Sequence, residues 1–112
     1  MIGQSGIQIK TQVLGDGRNF PKRGNTVIVH YTGKLEDGTR FDSSRDRNEP
    51  FEFILGAGQV IRGWEEGIAE LSKGQLVEMR LSPDWAYGPA GFPPLIPGNT
   101  SLIFEIELID FK

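Results

Sequence analysis

The sequence predicts an α+β domain in which a curved antiparallel sheet half wraps one short amphipathic helix. Three observations predict it. Most apolar residues alternate with polar ones in short runs, the pattern of strands with one buried face. A single segment, residues 60–71, carries apolar residues at helical spacing. The 15 glycines and 7 prolines break the chain at the intervals that tight turns require. Several strands and one helix leave a single economical packing, with the helix laid on the sheet.

Ile7, Ile9 and Val13 alternate with polar residues, and Gly15-Asp16-Gly17 ends that first run. Thr26 to Leu35 forms the second strand, β-branched at Thr26-Val27-Ile28-Val29. Its Val27, Val29 and Tyr31 share one face, and Ile28, His30 and Thr32 the other. Asp37-Gly38 is a turn signal, after which residues 40–43 return as a strand and 44–50 form a polar loop or bulge. Phe51 to Leu55 is extended again. In the helical segment Ile61, Trp64, Ile68 and Leu71 make one apolar stripe, with Glu65, Glu66 and Glu70 off it. Gly63 and Gly67 each weaken that helix by about 1 kcal/mol relative to alanine, so packing has to hold it. Gly74 is the expected C-terminal cap. Residues 75–82 form a strand with Val77, Met79 and Leu81 on one face. Residues 83–99 make a long loop rich in proline and aromatic residues, with little regular structure. Residues 101–111 form the cleanest strand, with Leu102, Phe104, Ile106 and Leu108 alternating against Ser101, Glu105 and Glu107.

Composition narrows the function classes. The 112 residues make one domain, with residues 1–5 expected to be loosely ordered. There is no cysteine, so disulfide and thiolate chemistry are absent and a reducing compartment is permitted. The net charge of −3, with only Lys22-Arg23 as a basic pair, disfavours a nucleic-acid binder. No apolar run approaches the roughly 20 residues of a membrane span. The start, Met1 to Gly6, lacks the regions of a signal peptide, so Asn99-Thr100-Ser101 reads as a chance glycosylation pattern and the cytoplasm is the expected location.

Standard catalytic constellations are weak. The single histidine, His30, sits in mid-strand, where a structural or solvent-facing role is the usual one. A triad drawn from Ser43, His30 and Asp42 founders because neighbouring strand residues point to opposite faces. A metal site would have to be all-carboxylate, and no spacing suggests one. Gly56-Ala57-Gly58 lacks the third glycine and downstream acid of a dinucleotide fingerprint. The aromatics Tyr31, Phe41, Phe51, Trp64, Trp85, Tyr87, Phe92 and Phe104 carry more information. They fit either a packed core or an apolar cup with polar groups at its rim, the usual form of a small-ligand site. Phe41-Asp42 followed by Arg45-Asp46-Arg47 offers a charge pair beside an aromatic wall. Tyr87 lies in the long loop, where binding residues are common.

Five motifs, in order, resemble the FKBP-type peptidyl-prolyl cis-trans isomerases: Val29-His30-Tyr31-Thr32-Gly33-Lys34-Leu35-Glu36-Asp37-Gly38 with Phe41-Asp42-Ser43-Ser44-Arg45-Asp46-Arg47, Pro50-Phe51-Glu52-Phe53, Val60-Ile61-Arg62-Gly63-Trp64-Glu65-Glu66-Gly67, and Tyr87-Gly88. The resemblance runs from about Gly6 to Phe111. It implies a five-stranded sheet around the helix and an isomerase of X-Pro bonds that assists protein folding without a cofactor or metal. It makes Trp64 the pocket floor, and Tyr31, Phe41, Phe51, Val60, Ile61 and Phe104 the walls. Asp42 and Tyr87 become polar rim groups, with Arg47 paired to Asp42. The Gln59 carbonyl accepts a ligand hydrogen bond, and Ile96 and Phe92 border the site on the loop side. Of these, Tyr31, Asp42, Trp64, Tyr87 and Phe104 are the expected catalytic set.

The implied ligands are proline-containing peptides, tacrolimus and rapamycin, and the implied drug-dependent partners are the phosphatase calcineurin or the kinase TOR. Phe92 stands where the family commonly has histidine, Pro94 for a glycine and Leu95 for an isoleucine, which bears on partner choice. A non-catalytic module that holds a protein in the same pocket is the alternative reading. Phe92-Pro93 is itself a substrate-type dipeptide; the expected protein is mostly monomeric with Phe92 folded onto its own loop, and weak association through this loop is the alternative.

Overall fold

The computed structural model describes residues 6–112; the expectation for residues 1–5 falls outside them. Six strands run β1 Ile7–Val13, β2 Thr26–Leu35, β3 Arg40–Ser43, β4 Phe51–Ile54, β5 Leu76–Leu81 and β6 Leu102–Phe111, with one α-helix, α1 Arg62–Gly67. All strand pairs are antiparallel, in the order β1-β5-β6-β2-β3, and β4 also pairs with β2. β4 covers Thr26 to Val29 of β2, and β3 covers Thr32 to Lys34. The two short strands thus lie end to end along one edge. The implied five strands become six segments because residues 44–50 bulge out of the edge position.

The alternation expected from the sequence decides what is buried. Val27, Val29 and Tyr31 of β2, Val77, Met79 and Leu81 of β5, and Leu102, Phe104, Ile106 and Leu108 of β6 face one core. Trp64 and Ile68 press into it from the helix side, and Leu71 closes it.

The helix is shorter than residues 60–71. The α-helical turns end at Gly67, one 3-10 turn follows over Ile68–Glu70, and Leu71 is already extended. Ile61 supplies no side-chain cap, and two glycines lower propensity, so packing alone sustains these turns. The glycines permit that packing. A Cβ on Gly63 would lie 2.5 Å from the Leu81 methyls, and one on Gly67 2.5 Å from Met79 Cε. The helix therefore sits closer to β5 than any side chain would allow. Gly74 is not the helix cap. It turns the chain into β5 with φ near 90°, and its N–H donates to Leu108 C=O at 2.8 Å.

The loop after β5 is more ordered than its composition predicts. A 3-10 turn spans Pro83–Trp85. Phe92 and Ile96 exchange both backbone hydrogen bonds, at 2.8 and 2.9 Å, and the Asn99 N–H closes the base on Gly88 C=O at 2.8 Å. Ile96 drops into the core, while Phe92 and Leu95 stay outside it.

Candidate active site

A cavity of about 150 Å³ opens beside α1, lined by Tyr31, Phe41, Asp42, Phe51, Gln59, Val60, Ile61, Trp64, Tyr87 and Phe104. Each comes from an element placed by the sheet. β2 supplies Tyr31 and β3 supplies Phe41 and Asp42. β4 begins with Phe51, the turn into α1 carries Gln59 to Ile61, and α1 brings Trp64. β6 supplies Phe104, and the long loop adds Tyr87.

Trp64 is the hub. Its ring meets Tyr31 at 4.9 Å, Phe104 at 5.3 Å and Phe51 at 5.9 Å between centroids, all edge-to-face, with Phe53 at 6.0 Å. Edge-to-face pairs each add about 0.5–1.5 kcal/mol beyond area burial, so the cup is stiff. Phe41 stands edge-on to Phe104 at 5.7 Å. Among the described residues the buried indole N–H of Trp64, at the floor of the cavity, has no hydrogen-bond partner.

The polar side is one connected group. The Tyr31 hydroxyl donates to Asp42 Oδ2 at 2.5 Å, Arg47 pairs with Asp42 Oδ1, and Arg47 also donates to the Tyr31 oxygen at 3.1 Å. The Ser43 N–H adds a bond to Asp42 Oδ1 at 2.9 Å. Burial pushes the Asp42 carboxyl up, but the Tyr31 hydroxyl and the Arg47 guanidinium outweigh it and hold the group below its ordinary value. Asp42 is therefore ionised at neutral pH. Burial raises the Tyr31 and Tyr87 phenols, and the Asp42 charge adds to both. Both hydroxyls keep their protons, and Tyr87 lines the cavity.

Of the residues singled out from the sequence, ten line the cavity, and Arg47 stands behind Asp42. Ile96 and Phe92 do not line it. Ile96 is a core residue, 2 % exposed. Phe92 is 54 % exposed and packs on the Tyr87 ring at 5.4 Å, one residue back from the opening. The Gln59 side chain accepts from the Ile54 N–H at 2.9 Å, which fixes the residue whose carbonyl is the expected acceptor. His30 partners Ser44, at 2.9 Å between Nδ1 and Oγ, while Ser43 pairs with Thr32. The discarded triad is thus not assembled. Among the described residues no cluster of three or more acidic or histidine side chains stands where a metal would be held.

Two supporting residues escaped the sequence reading. Ser44, fully buried, accepts the Tyr31 N–H at 2.8 Å through its hydroxyl and pins the bulge to β2, so Asp42 and Arg47 return to Tyr31. Glu65 accepts the Gly56 and Gly58 N–H groups, both at 2.9 Å, and sets the turn that delivers Gln59 to Ile61. A serine inside a bulge and an acid just after a glycine turn were the available signals.

Residues 17–109 match the family model described as FKBP-type peptidyl-prolyl cis-trans isomerase. Over 104 residues, 93 % of the chain and 96 % of the relative, the sequence is 58 % identical to the peptidyl-prolyl cis-trans isomerase FKBP1A of Xenopus laevis. It is 56 % identical over the same shares to the isomerase Fkbp12 of Drosophila melanogaster. It is 55 % identical, again over 93 % and 96 %, to FK506-binding protein 1 of Rhizopus delemar.

Proposed function

The chain belongs to the FKBP-type peptidyl-prolyl cis-trans isomerases, and from that premise we propose that the aromatic cavity holds the proline ring of an X-Pro segment while the peptide bond rotates. The observation that carries this is the cavity's size and lining. A cavity of about 150 Å³ is large enough for a benzene ring, so a five-membered ring fits between Trp64, Phe104, Phe51 and Tyr31.

Rotation about the X-Pro bond meets a barrier of ~18–20 kcal/mol because twisting breaks amide resonance. No covalent bond is made and no proton has to move. The twisted amide is less polar at its carbonyl than the planar one, so an apolar cup disfavours the planar state more. Only that difference speeds the reaction. Burial of the ring's three methylenes contributes roughly 2.4 kcal/mol at ~0.8 each, equal in both states. Lowering the barrier by ~7 kcal/mol gives about five decades in rate. In this reading the Tyr87 hydroxyl and the Gln59 carbonyl hold the backbone flanking the proline, and Tyr31 and Asp42 orient the rim.

In this reading the same cavity takes tacrolimus, supported by the cup and by the name of the Rhizopus relative, since FK506 is tacrolimus, and also rapamycin, as the family resemblance implies. The drug complexes then meet calcineurin or TOR. We assign the protein to the cytoplasm; among the described residues no helix is long and apolar enough to cross a membrane. The test is isomerisation of a Leu-Pro or Phe-Pro peptide with and without tacrolimus. Catalysis that the drug abolishes supports the reading. Tight drug binding with no rate above background leaves a non-catalytic binding module instead. Drug-dependent capture of purified calcineurin or TOR tests the partners, and cell fractionation the location.

A further inference from the structure

The face of β2 that builds the pocket runs Val27, Val29, Tyr31, and the next residue on it is Gly33. Glycine is disfavoured in a strand interior unless something must approach closely. Gly33 sits mid-sheet, hydrogen-bond neighbours on both sides, opposite Asp42 of β3 and Phe104 of β6. The strand therefore gives up a packing side chain in the interior of the sheet.

What fills the vacated space is the pocket wall. A Cβ on Gly33 would stand 2.5 Å from Phe41 Cζ, 2.9 Å from Phe41 Cε1 and 2.9 Å from Phe104 Cε1. Carbon atoms in contact sit about 3.5–4.0 Å apart, so a methyl group there would push the Phe41 ring by roughly 1 Å. Phe41 and Phe104 meet edge-on over this position, and both line the cavity. Phe104 is held by the core, 3 % exposed, whereas Phe41 is only half-buried and is the ring able to yield.

We infer that Gly33 is a positioning residue for the isomerase pocket, its missing side chain setting where Phe41 and Phe104 stand against the proline ring. The inference rests on the reading of the cavity as the proline site. Gly33 touches no ligand and acts only through the two rings. Because those rings contact the proline ring in the planar and the twisted state alike, their displacement removes uniform binding, which raises KM and leaves kcat. A purely structural glycine would show a different pattern: less folded protein with unchanged KM.

The experiment compares wild type, Gly33→Ala, Phe41→Leu and the double variant on a Leu-Pro peptide and on tacrolimus, with folding checked by circular dichroism. Wild-type catalysis in the same assay separates failure of this inference from failure of the functional reading. For Gly33→Ala the expected result is a rise of about tenfold in KM and in drug Kd with kcat within about twofold. Adding Phe41→Leu to it should cost less than adding Phe41→Leu to wild type, since the smaller side chain relieves the closest of the contacts, that with Phe41 Cζ, and leaves only the one with Phe104 Cε1. A folded Gly33→Ala protein with KM and Kd within about twofold of wild type overturns the inference, as does a loss in kcat alone or strict multiplicativity of the two effects. If Gly33→Ala does not fold, the inference requires Phe41→Leu to restore folding, and an unfolded double variant overturns it.

Discussion

The cup built from β2, β4, β6 and α1 and the loop over residues 86–99 meet at Tyr87, yet they hold their aromatic side chains by different means. In the cup Tyr31, Trp64 and Phe104 are 7, 4 and 3 % exposed, and each ring touches at least two others. In the loop Phe92 and Leu95 are more than half exposed, and Phe92 meets a single ring, that of Tyr87. The loop closes largely on its own backbone hydrogen bonds, with Ile96 as its anchor in the core. The cup is at once part of the core and the lining of the candidate site, so it cannot vary without loss of stability. Apolar area on the loop is not demanded by the fold and is open to use in contacts beside the cavity.

The largest effect that tests this contrast comes from the floor. Trp64→Ala should lose about 3–5 kcal/mol of stability together with peptide and drug binding, read by urea unfolding and by titration with tacrolimus. Phe92→Ala in the same unfolding experiment should change stability by no more than about 0.5 kcal/mol. A comparable loss at both positions would break the distinction between cup and loop.

Smaller effects belong to the rim. The Asp42 and Arg47 side chains are 38 and 51 % exposed, so solvent screening limits their pair to about 0–1 kcal/mol. Asp42→Val should therefore weaken turnover moderately, weaken tacrolimus binding more clearly, and leave the fold intact. Abolished turnover with unchanged drug affinity would overturn catalysis by desolvation and restore a proton-transfer role. The pH dependence follows from the sign of the shift. Asp42 has its folded value depressed, so its contribution is complete above the unfolded value of about 3.9 and fades as pH falls through the lower folded value. Tacrolimus affinity follows the ionisation of Asp42 in the folded protein, so it should be flat from about pH 5 to 8 and fall only below about pH 4. A midpoint near neutrality would overturn the assignment of this dependence to Asp42.

Sequence and structure agree most closely where burial sets the pattern. Val27, Val29 and Tyr31, or Leu102, Phe104 and Ile106, declare their face because period-two alternation leaves no other register in which the apolar set is covered. The lining of the candidate cavity was legible through the same residues, since the cup is the exposed end of the core. What escaped depended on contacts distant in sequence. Helical spacing ran on to Leu71, but Gly67 against Met79 and the 3-10 turn after it show that packing, not periodicity, ends the helix. The closed loop was hidden because the Phe92 and Ile96 pairing involves backbone groups, which composition does not reveal. Ser44, a small polar residue beside an equally plausible Ser43, acquires its role only when the bulge folds back onto Tyr31.

The smallest expected effect lies in the loop's exposed Phe92-Pro93, a bulky apolar residue before proline. The ring-sized cavity of one molecule and the outward dipeptide of another are complementary, and two molecules exchanging loops would satisfy both sites in one symmetric contact. Competing with this is the Phe92 ring's own contact with Tyr87, which has to be given up or shared on docking. Few residues would be buried, and contacts of such size are weak. NMR shifts at Trp64 and Phe92 should move together with protein concentration, and tacrolimus, by filling the cavity, should suppress both movements. By mass action a weak dimer changes its population over about a hundredfold range of concentration. A spectrum constant over that range would leave Phe92 as a loop residue packed on Tyr87 and return the loop to contacts with other proteins alone.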